Sequence, residues 1–232
     1  MQKIGVVTGA SQKIGLEICR QLANRGVKVI LTARDEERGK EAALKLQNEG
    51  LDVVFHILDV TNEESIRKLA EWLGQTFGKL DIIVNNAGIS DRENTTLEHD
   101  LDKIRETMET NAYGPLRLCK ALVSLMRKAD SGRIVNVTSG AGSLARIRGG
   151  KITNHPGYRM SKTALNVATV LLANELLDTN ITVNAMAPGP VYTGTNAPGE
   201  RSVEEGADTA VWLATEGTTT GKLFRDRKES DF

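Results

Sequence analysis

Six short runs rich in β-branched residues punctuate the chain: IGVV at 4–7, VKVILT at 27–32, VVFHI at 53–57, IIV at 82–84, RIVNVT at 133–138 and ITVNAMA at 181–187. Segments with helical periodicity separate them. Antiparallel neighbours can be joined by a tight turn, whereas parallel strands need a long crossover, commonly a helix. Regular alternation of strand and helix therefore constrains the chain to a largely parallel sheet, and nearly continuous apolar strands require helices over both faces. The reading is an α/β, doubly wound fold, in which ligand-binding residues gather in loops at the carboxyl ends of strands. One helix start is legible directly. Thr61 and Glu64 in TNEE have the spacing of a capping box ahead of SIRKLAEWLGQTF, which leaves Asp59 in the loop at a strand end.

Thirty basic residues against thirty acidic ones leave no excess charge to concentrate the protein on nucleic acid or anionic lipid, so the expected partners are small molecules or other proteins. The most apolar long stretch, ALNVATVLLANELL at 164–177, contains Asn and Glu and falls short of the ~18 uninterrupted apolar residues of a membrane span. It reads as a buried helix. No leader pattern follows Met1, and Cys19 and Cys119 lie apart on apolar helical segments, as inert thiols of a reducing compartment do. A cytoplasmic location is expected. With no internal repeat or linker in sight, residues 1–232 are expected to form a single domain, the Gly/Pro-rich stretch from Pro188 to Gly199 being a flap.

Residues 8–15, TGASQKIG, follow the first strand and nearly spell a phosphate-binding loop, T-G-x-x-x-G-x-G, with Lys13 in place of the middle glycine. Gly9 permits a tight turn, Gly15 permits close helix packing, and the amides from Ile14 onward can meet phosphate oxygens. A cation at a helix N-terminus costs ~0.3 to 1 kcal/mol, a sign that a bound polyphosphate reverses. Lys13 therefore either contacts such a ligand or points into solvent. At the end of the second strand, where NAD-preferring proteins place a carboxylate, this chain has Ala33 and Arg34. Arg34 either grips a 2′-phosphate through charge-assisted hydrogen bonds or opens the next helix as a surface charge.

Tyr158 and Lys162 are four residues apart and share one face of a helix. A phenol with an intrinsic pKa of ~10 is a reluctant acid near neutrality, and a neighbouring ammonium stabilises its phenolate. Ser139 stands at a strand end with no histidine placed to activate it, which disfavours a serine hydrolase. His56, His99 and His155 are scattered without metal-ligand spacing, so no metal is expected, and His56 in VVFHI reads as a packed strand residue.

In the order TGASQKIG, LDV at 58–60, NNAG at 85–88, TNAYG at 110–114, VTS at 137–139, YRMSK at 158–162 and PGPVYT at 188–193, the sequence resembles the short-chain dehydrogenase/reductase family over most of its length. TARDEERG, the LDV loop and the ending GKLFRDRKE add a likeness to the NADPH-dependent carbonyl reductase branch. The resemblance implies a single Rossmann-type domain, its mostly parallel sheet of about seven strands flanked by helices on both faces, with NADPH/NADP+ as cofactor. It places Gly9, Ser11, Gln12, Lys13, Ile14 and Gly15 in the pyrophosphate loop and Asp59 at the adenine amino group, with Val60 beside it. It also sets Asn86, Ala87 and Gly88 by the adenine ribose, and Pro188, Gly189, Val191 and Thr193 around the nicotinamide. By the same likeness Tyr158 exchanges the proton, Lys162 also bonds the nicotinamide ribose, Ser139 orients the substrate oxygen and Asn111 anchors a water of a proton relay.

The expected activity is reduction of a ketone or aldehyde. An NADP-binding regulator without catalysis and an NAD-linked alcohol dehydrogenase are the alternatives; the first is disfavoured by the intact Asn111, Ser139, Tyr158 and Lys162 set, the second by Ala33. Substrate choice resides in the loops between Gly140 and Pro156 and after Pro188, where an open pocket admitting bulky carbonyls is expected. Arg146, Arg148 and Lys151 either attract anionic substrates or form a solvated loop. Apolar helices from Leu101 and Tyr158 are compatible with a homo-oligomer and with a monomer.

Overall fold

All six apolar runs become parallel strands in the computed structural model, which describes residues 2–90, 95–150, 154–191 and 201–231. They are β1 (Ile4–Val7), β2 (Lys28–Ala33), β3 (Val53–Ile57), β4 (Ile82–Asn85), β5 (Gly132–Val137) and β6 (Ile181–Met186). Two further strands, β7 (Leu223–Arg225) and β8 (Lys228–Ser230), complete the sheet order β3-β2-β1-β4-β5-β6-β7-β8. β7 runs parallel to β6 and β8 antiparallel to β7. That eighth strand exceeds the expected seven for a local reason. Asp226 and Arg227, at φ 54° and 57°, form a two-residue turn with positive φ at both central positions, as type I′ hairpins require, without the Asn-Gly or Asp-Gly signature that announces one.

The helices are α1 (Lys13–Asn24), α2 (Glu36–Asn48), α3 (Glu63–Phe77), α4 (Leu101–Met108), α5 (Gly114–Met126), α6 (Leu144–Gly149), α7 (Pro156–Glu175) and α8 (Val203–Thr215). Successive strand side chains point to opposite faces. Val7, Leu31, Val84 and Val135 accordingly join one buried cluster with Ile18 of α1, Leu46 of α2 and Val211 of α8. Their strand neighbours Val6, Ile30, Ile83 and Ile134 join the other, with Leu69 of α3, Leu122 of α5 and Ala173 of α7. Burial on both faces is what the unbroken apolar runs encode. No helix among the described residues is long and apolar enough to cross a membrane.

The capping of α3 differs from expectation by one residue. Asn62 is the N-cap and accepts from the Ser65 amide at 2.9 Å, while Thr61 donates its hydroxyl to Asp59 Oδ1 at 2.7 Å. Asn caps at least as well as Thr, and the freed threonine braces the Asp59 loop. His56 packs as expected, its ring 5.1 Å from that of Trp72.

Because β1 pairs with β2 on one side and β4 on the other, the chain winds outward in both directions from this point and leaves a crevice at the carboxyl ends of β1 and β4. A π-helical turn, Glu109–Tyr113, joins α4 to α5 and carries Asn111 under that crevice. On the crevice's other lip, Lys13 holds φ 51°, a left-handed conformation that costs a non-glycine residue about 1 to 2 kcal/mol. The backbone thus keeps the shape of the glycine that the loop pattern asks for. Lys13→Gly is expected to raise the unfolding free energy by about 1 kcal/mol, read as a higher urea midpoint at unchanged m; an equal or lower midpoint contradicts the strain.

Candidate active site

The loop after β1 closes on the loop after β4 at a distance only glycine allows. A Cβ on Gly9 would stand 2.7 Å from Ala87 Cα, and one on Gly15 would stand 2.5 Å from Asn86 Nδ2. Thr8 Oγ1 accepts from the Asn86 and Ala87 amides at 3.0 and 2.9 Å. Asn86 Nδ2 donates back to the Thr8 and Gly9 carbonyls at 2.9 and 3.0 Å. A cleft of about 420 Å³ opens over this seam, and Gly9, Ser11, Gln12, Lys13, Ile14, Gly15, Arg34, Asp59, Val60, Asn86, Ala87 and Gly88 all line it. Sequence reasoning had singled out each of them.

The electrostatics of this cleft suit a polyphosphate. The helices α2, α3 and α8 each carry a side-chain cap and two glutamates in the first turn. By contrast, α1 starts at Gln12 with no side-chain cap and no acidic residue in its first turn. Its first amides and the positive end of its dipole are left for an external anion. Lys13 and Arg34 line the same space, and so does Arg38, which the sequence reading missed. Its signal was the second arginine of ARDEER, four residues after Arg34 at the start of α2. Arg38 pairs with Asp35 at 3.5 Å, but the side chain is 72% exposed, and such a pair contributes ~0 to 1 kcal/mol. It is readily exchanged for a phosphate. Across the cleft, Asp59 Oδ1 accepts from the Thr61 amide at 2.9 Å.

Tyr158 and Lys162 sit one turn apart on α7, with Lys162 Nζ 5.7 Å from the centre of the phenol ring. The ammonium is 4% exposed and donates to the Val137 carbonyl at the end of β5, 2.8 Å away. Burial pushes its pKa down to about 8. Burial also raises the Tyr158 pKa, while a hydrogen bond with Ser139 and the charge of Arg159 pull it back down. Beside the ammonium expected to stabilise the phenolate, which here donates to Val137 O, Ser139 and Arg159 also favour the phenolate form.

Asn111 is fully buried. Its Oδ1 accepts from the Ile89 amide at 2.9 Å, and its Nδ2 donates to Ile89 O at 2.8 Å and to Ser161 Oγ at 3.0 Å. Ser161 in turn donates to the Tyr158 carbonyl at 2.8 Å. Asn111 thus ties the β4 loop to the helix that carries the phenol, keeping one Oδ1 lone pair for a water. A Cβ on Gly88 would come within 3.6 Å of Lys162 Nζ and 3.3 Å of Asn111 Oδ1, so the first cleft reaches this pair at its inner end.

Ser139 opens onto a second cleft of about 250 Å³ together with Gly140, Gly189, Pro190, Arg146 and Arg225. Ser139 Oγ accepts from the Ala141 amide at 3.1 Å. Pro188 O is held by Arg201 Nη1 at 3.1 Å, and Val191 bridges to Arg201. Thr193 and Lys151 lie outside the described residues. Tyr158, bonded to Ser139, and Lys162, bordering Gly88, stand where the two clefts approach each other.

The short chain dehydrogenase family profile matches residues 3–204. The (+)-neomenthol dehydrogenase of Arabidopsis thaliana is 35% identical, with 99% of this chain and 98% of that protein covered. Carbonyl reductase (NADPH) 3 of Rattus norvegicus is 34% identical over 97% and 96%. The structure of salutaridine reductase from Papaver somniferum superposes with a TM-score of 0.83 at 30% identity, covering 96% of this chain and 99% of that one. A profile that runs from β1 into α8, joined to relatives aligned nearly end to end, makes the chain a member of the short-chain dehydrogenase/reductase family, in its carbonyl reductase-like branch.

Proposed function

We propose that the protein reduces a ketone or aldehyde to an alcohol with NADPH. The observation that carries this reading is a phenol, Tyr158, bonded to Ser139 at one cleft and one turn from a buried ammonium that reaches the other. A relative named for NADPH and the absence of a carboxylate at position 33 support the choice of dinucleotide, which when bound supplies the hydride. The first cleft fits it. The glycine seam and the uncapped start of α1 receive the pyrophosphate, and Arg34 and Arg38 flank the 2′-phosphate. Asp59 and Val60 lie at the adenine, and Asn86 to Gly88 at its ribose. Pro188, Gly189, Val191 and Thr193 belong to the nicotinamide end.

Within the reaction, Tyr158 Oη gives its proton to the carbonyl oxygen. Burial keeps the phenol protonated at neutral pH, which is the form a reduction consumes, and Ser139 and Arg159 stabilise the phenolate as it develops. Ser139 also directs the substrate oxygen toward Tyr158. Lys162 Nζ, acidified to about 8, passes a proton toward the phenolate more readily than an ordinary lysine does. Asn111 positions the helix and the relay water. A regulator that only bound the dinucleotide would leave the pairing of Tyr158 with Ser139 unexplained.

Tyr158→Phe is expected to lower carbonyl reduction by about 100-fold or more, followed as loss of NADPH absorbance, with the NADPH dissociation constant changed less than about twofold. Near-normal turnover in that variant overturns the mechanism. Arg34→Ala should reduce the preference for NADPH over NADH by about 10- to 100-fold, and a ratio left untouched removes Arg34 from the phosphate site.

Lys162→Met gives a stability test. The folded pKa of about 8 lies below the ordinary 10.5, so between these values the unfolded chain binds the extra proton and stability rises with pH. At pH 7 the variant is expected to gain about 1 to 3 kcal/mol, an advantage that shrinks from about pH 8 upward and is gone near 10.5. Chemical denaturation across that range reads it, and a pH-independent difference contradicts the assignment.

A further inference from the structure

The second cleft is polar in a way that reduction of a simple ketone does not require. Two guanidiniums, Arg146 and Arg225, face one carboxylate, Asp231, around it. Each guanidinium rests on a glycine beside the reacting groups. A Cβ on Gly140, the residue after Ser139, would lie 2.5 Å from Arg146 Nη1 and 3.2 Å from its Cζ. A Cβ on Gly189 would lie 3.3 Å from Arg225 Nη2. At Gly140 the missing side chain leaves the room that the Arg146 guanidinium occupies.

Neither charge is well neutralised. Among the described residues Arg146 has no ion pair and its guanidinium no side-chain hydrogen bond, while its backbone amide donates to Ser143 Oγ. Arg225 has Asp226 at 3.7 Å, but that carboxylate is engaged more closely by Arg201. Among the described residues lining the cleft, Asp231 is the one carboxylate set against both guanidiniums. A guanidinium presents a planar fork of donors that matches a two-oxygen anion.

We propose that the preferred substrates are carbonyl compounds bearing a carboxylate, and that Arg146, with Arg225, receives it while the carbonyl oxygen lies at Ser139 and Tyr158. This rests on the carbonyl-reducing reading above. It assigns to Arg146 and Arg225 a role in choosing substrate rather than in binding the dinucleotide, whose phosphates meet Lys13, Arg34 and Arg38 in the other cleft.

The test compares kcat/KM with NADPH for matched acids and neutral amides, phenylglyoxylate against phenylglyoxylamide and 4-formylbenzoate against 4-formylbenzamide. Wild-type protein should favour the acid of at least one pair by about 10-fold, an advantage that falls as salt is added because these charges are partly open to solvent. Arg146→Gln should lower the acid-to-amide ratio by about 10-fold, chiefly through KM, while Arg146→Lys keeps part of it. Arg225→Gln should move the ratio in the same direction. A wild-type ratio at or below one for both pairs overturns the proposal. So does a ratio unmoved by Arg146→Gln in a protein whose circular dichroism shows it folded. If neutral carbonyls are reduced without preference for the acid, this inference alone falls; if no carbonyl is reduced, the catalytic reading falls with it.

Discussion

A lysine ammonium donating to the carbonyl of Val137, 2.8 Å away and sealed from solvent, is the interaction on which the remainder of the site depends. It fastens α7 to the end of β5, and so fixes the phenol one turn earlier against Ser139, the residue two beyond Val137. A buried cation is costly unless its donors are used. One donor is spent on Val137 O, and Nζ lies 3.6 Å from where a Cβ on Gly88 would stand. Position and reactivity share one cause, because the desolvation that weakens the ammonium's hold on its proton also makes its placement exacting.

Around this pair the polar groups of the interior form a second frame. Asn85 Nδ2 donates to Asn136 Oδ1 at 2.8 Å, and Asn136 Nδ2 donates to Thr169 Oγ1 at 2.9 Å, linking β4, β5 and α7 beneath the site. Thr138 Oγ1 donates to Asn166 Oδ1 at 2.6 Å. With Asn111 and Ser161, these bonds hold α7 at several points along its buried face. Satisfied buried networks rigidify and specify an arrangement, the condition that the proposed meeting of Tyr158 with a substrate oxygen would require.

Much of this was readable from residues because the physics is local in sequence. Period and β-branching give the strands, and the need for a side-chain-free approach marks Gly9 and Gly15. Four-residue spacing puts Tyr158 and Lys162 on one face. Where sequence reasoning fell short, the missing information was spatial. Arg38 becomes a ligand-facing residue only because α2 begins where β2 meets the cleft. Arg146 and Arg225, nearly eighty residues apart, converge only through the glycines they lie against. The shift of the α3 cap from Thr61 to Asn62 is a choice between neighbours of nearly equal capping strength, decided by the Asp59 loop that claims the threonine hydroxyl.

Several unfavourable local terms gather at the site. Lys13 is held at a positive φ without glycine's freedom, Lys162 is buried as a cation, and Asn111 sits in a π-helical turn, a geometry that recurs at functional sites. The six parallel strands and both apolar layers satisfy propensity, pattern and burial together, while the sheet's edge carries the left-handed turn at Asp226 and Arg227. A chain selected for stability alone would remove such terms, beginning with glycine at position 13 and an apolar residue at 162. Their retention is understood under the function proposed here, in which the left-handed lysine would set a positive charge at an anion site and the buried ammonium would hold a proton donor in place. The same argument extends to the two guanidiniums of the second cleft, which the carboxylates near them among the described residues, Asp226 and Asp231, engage only in part.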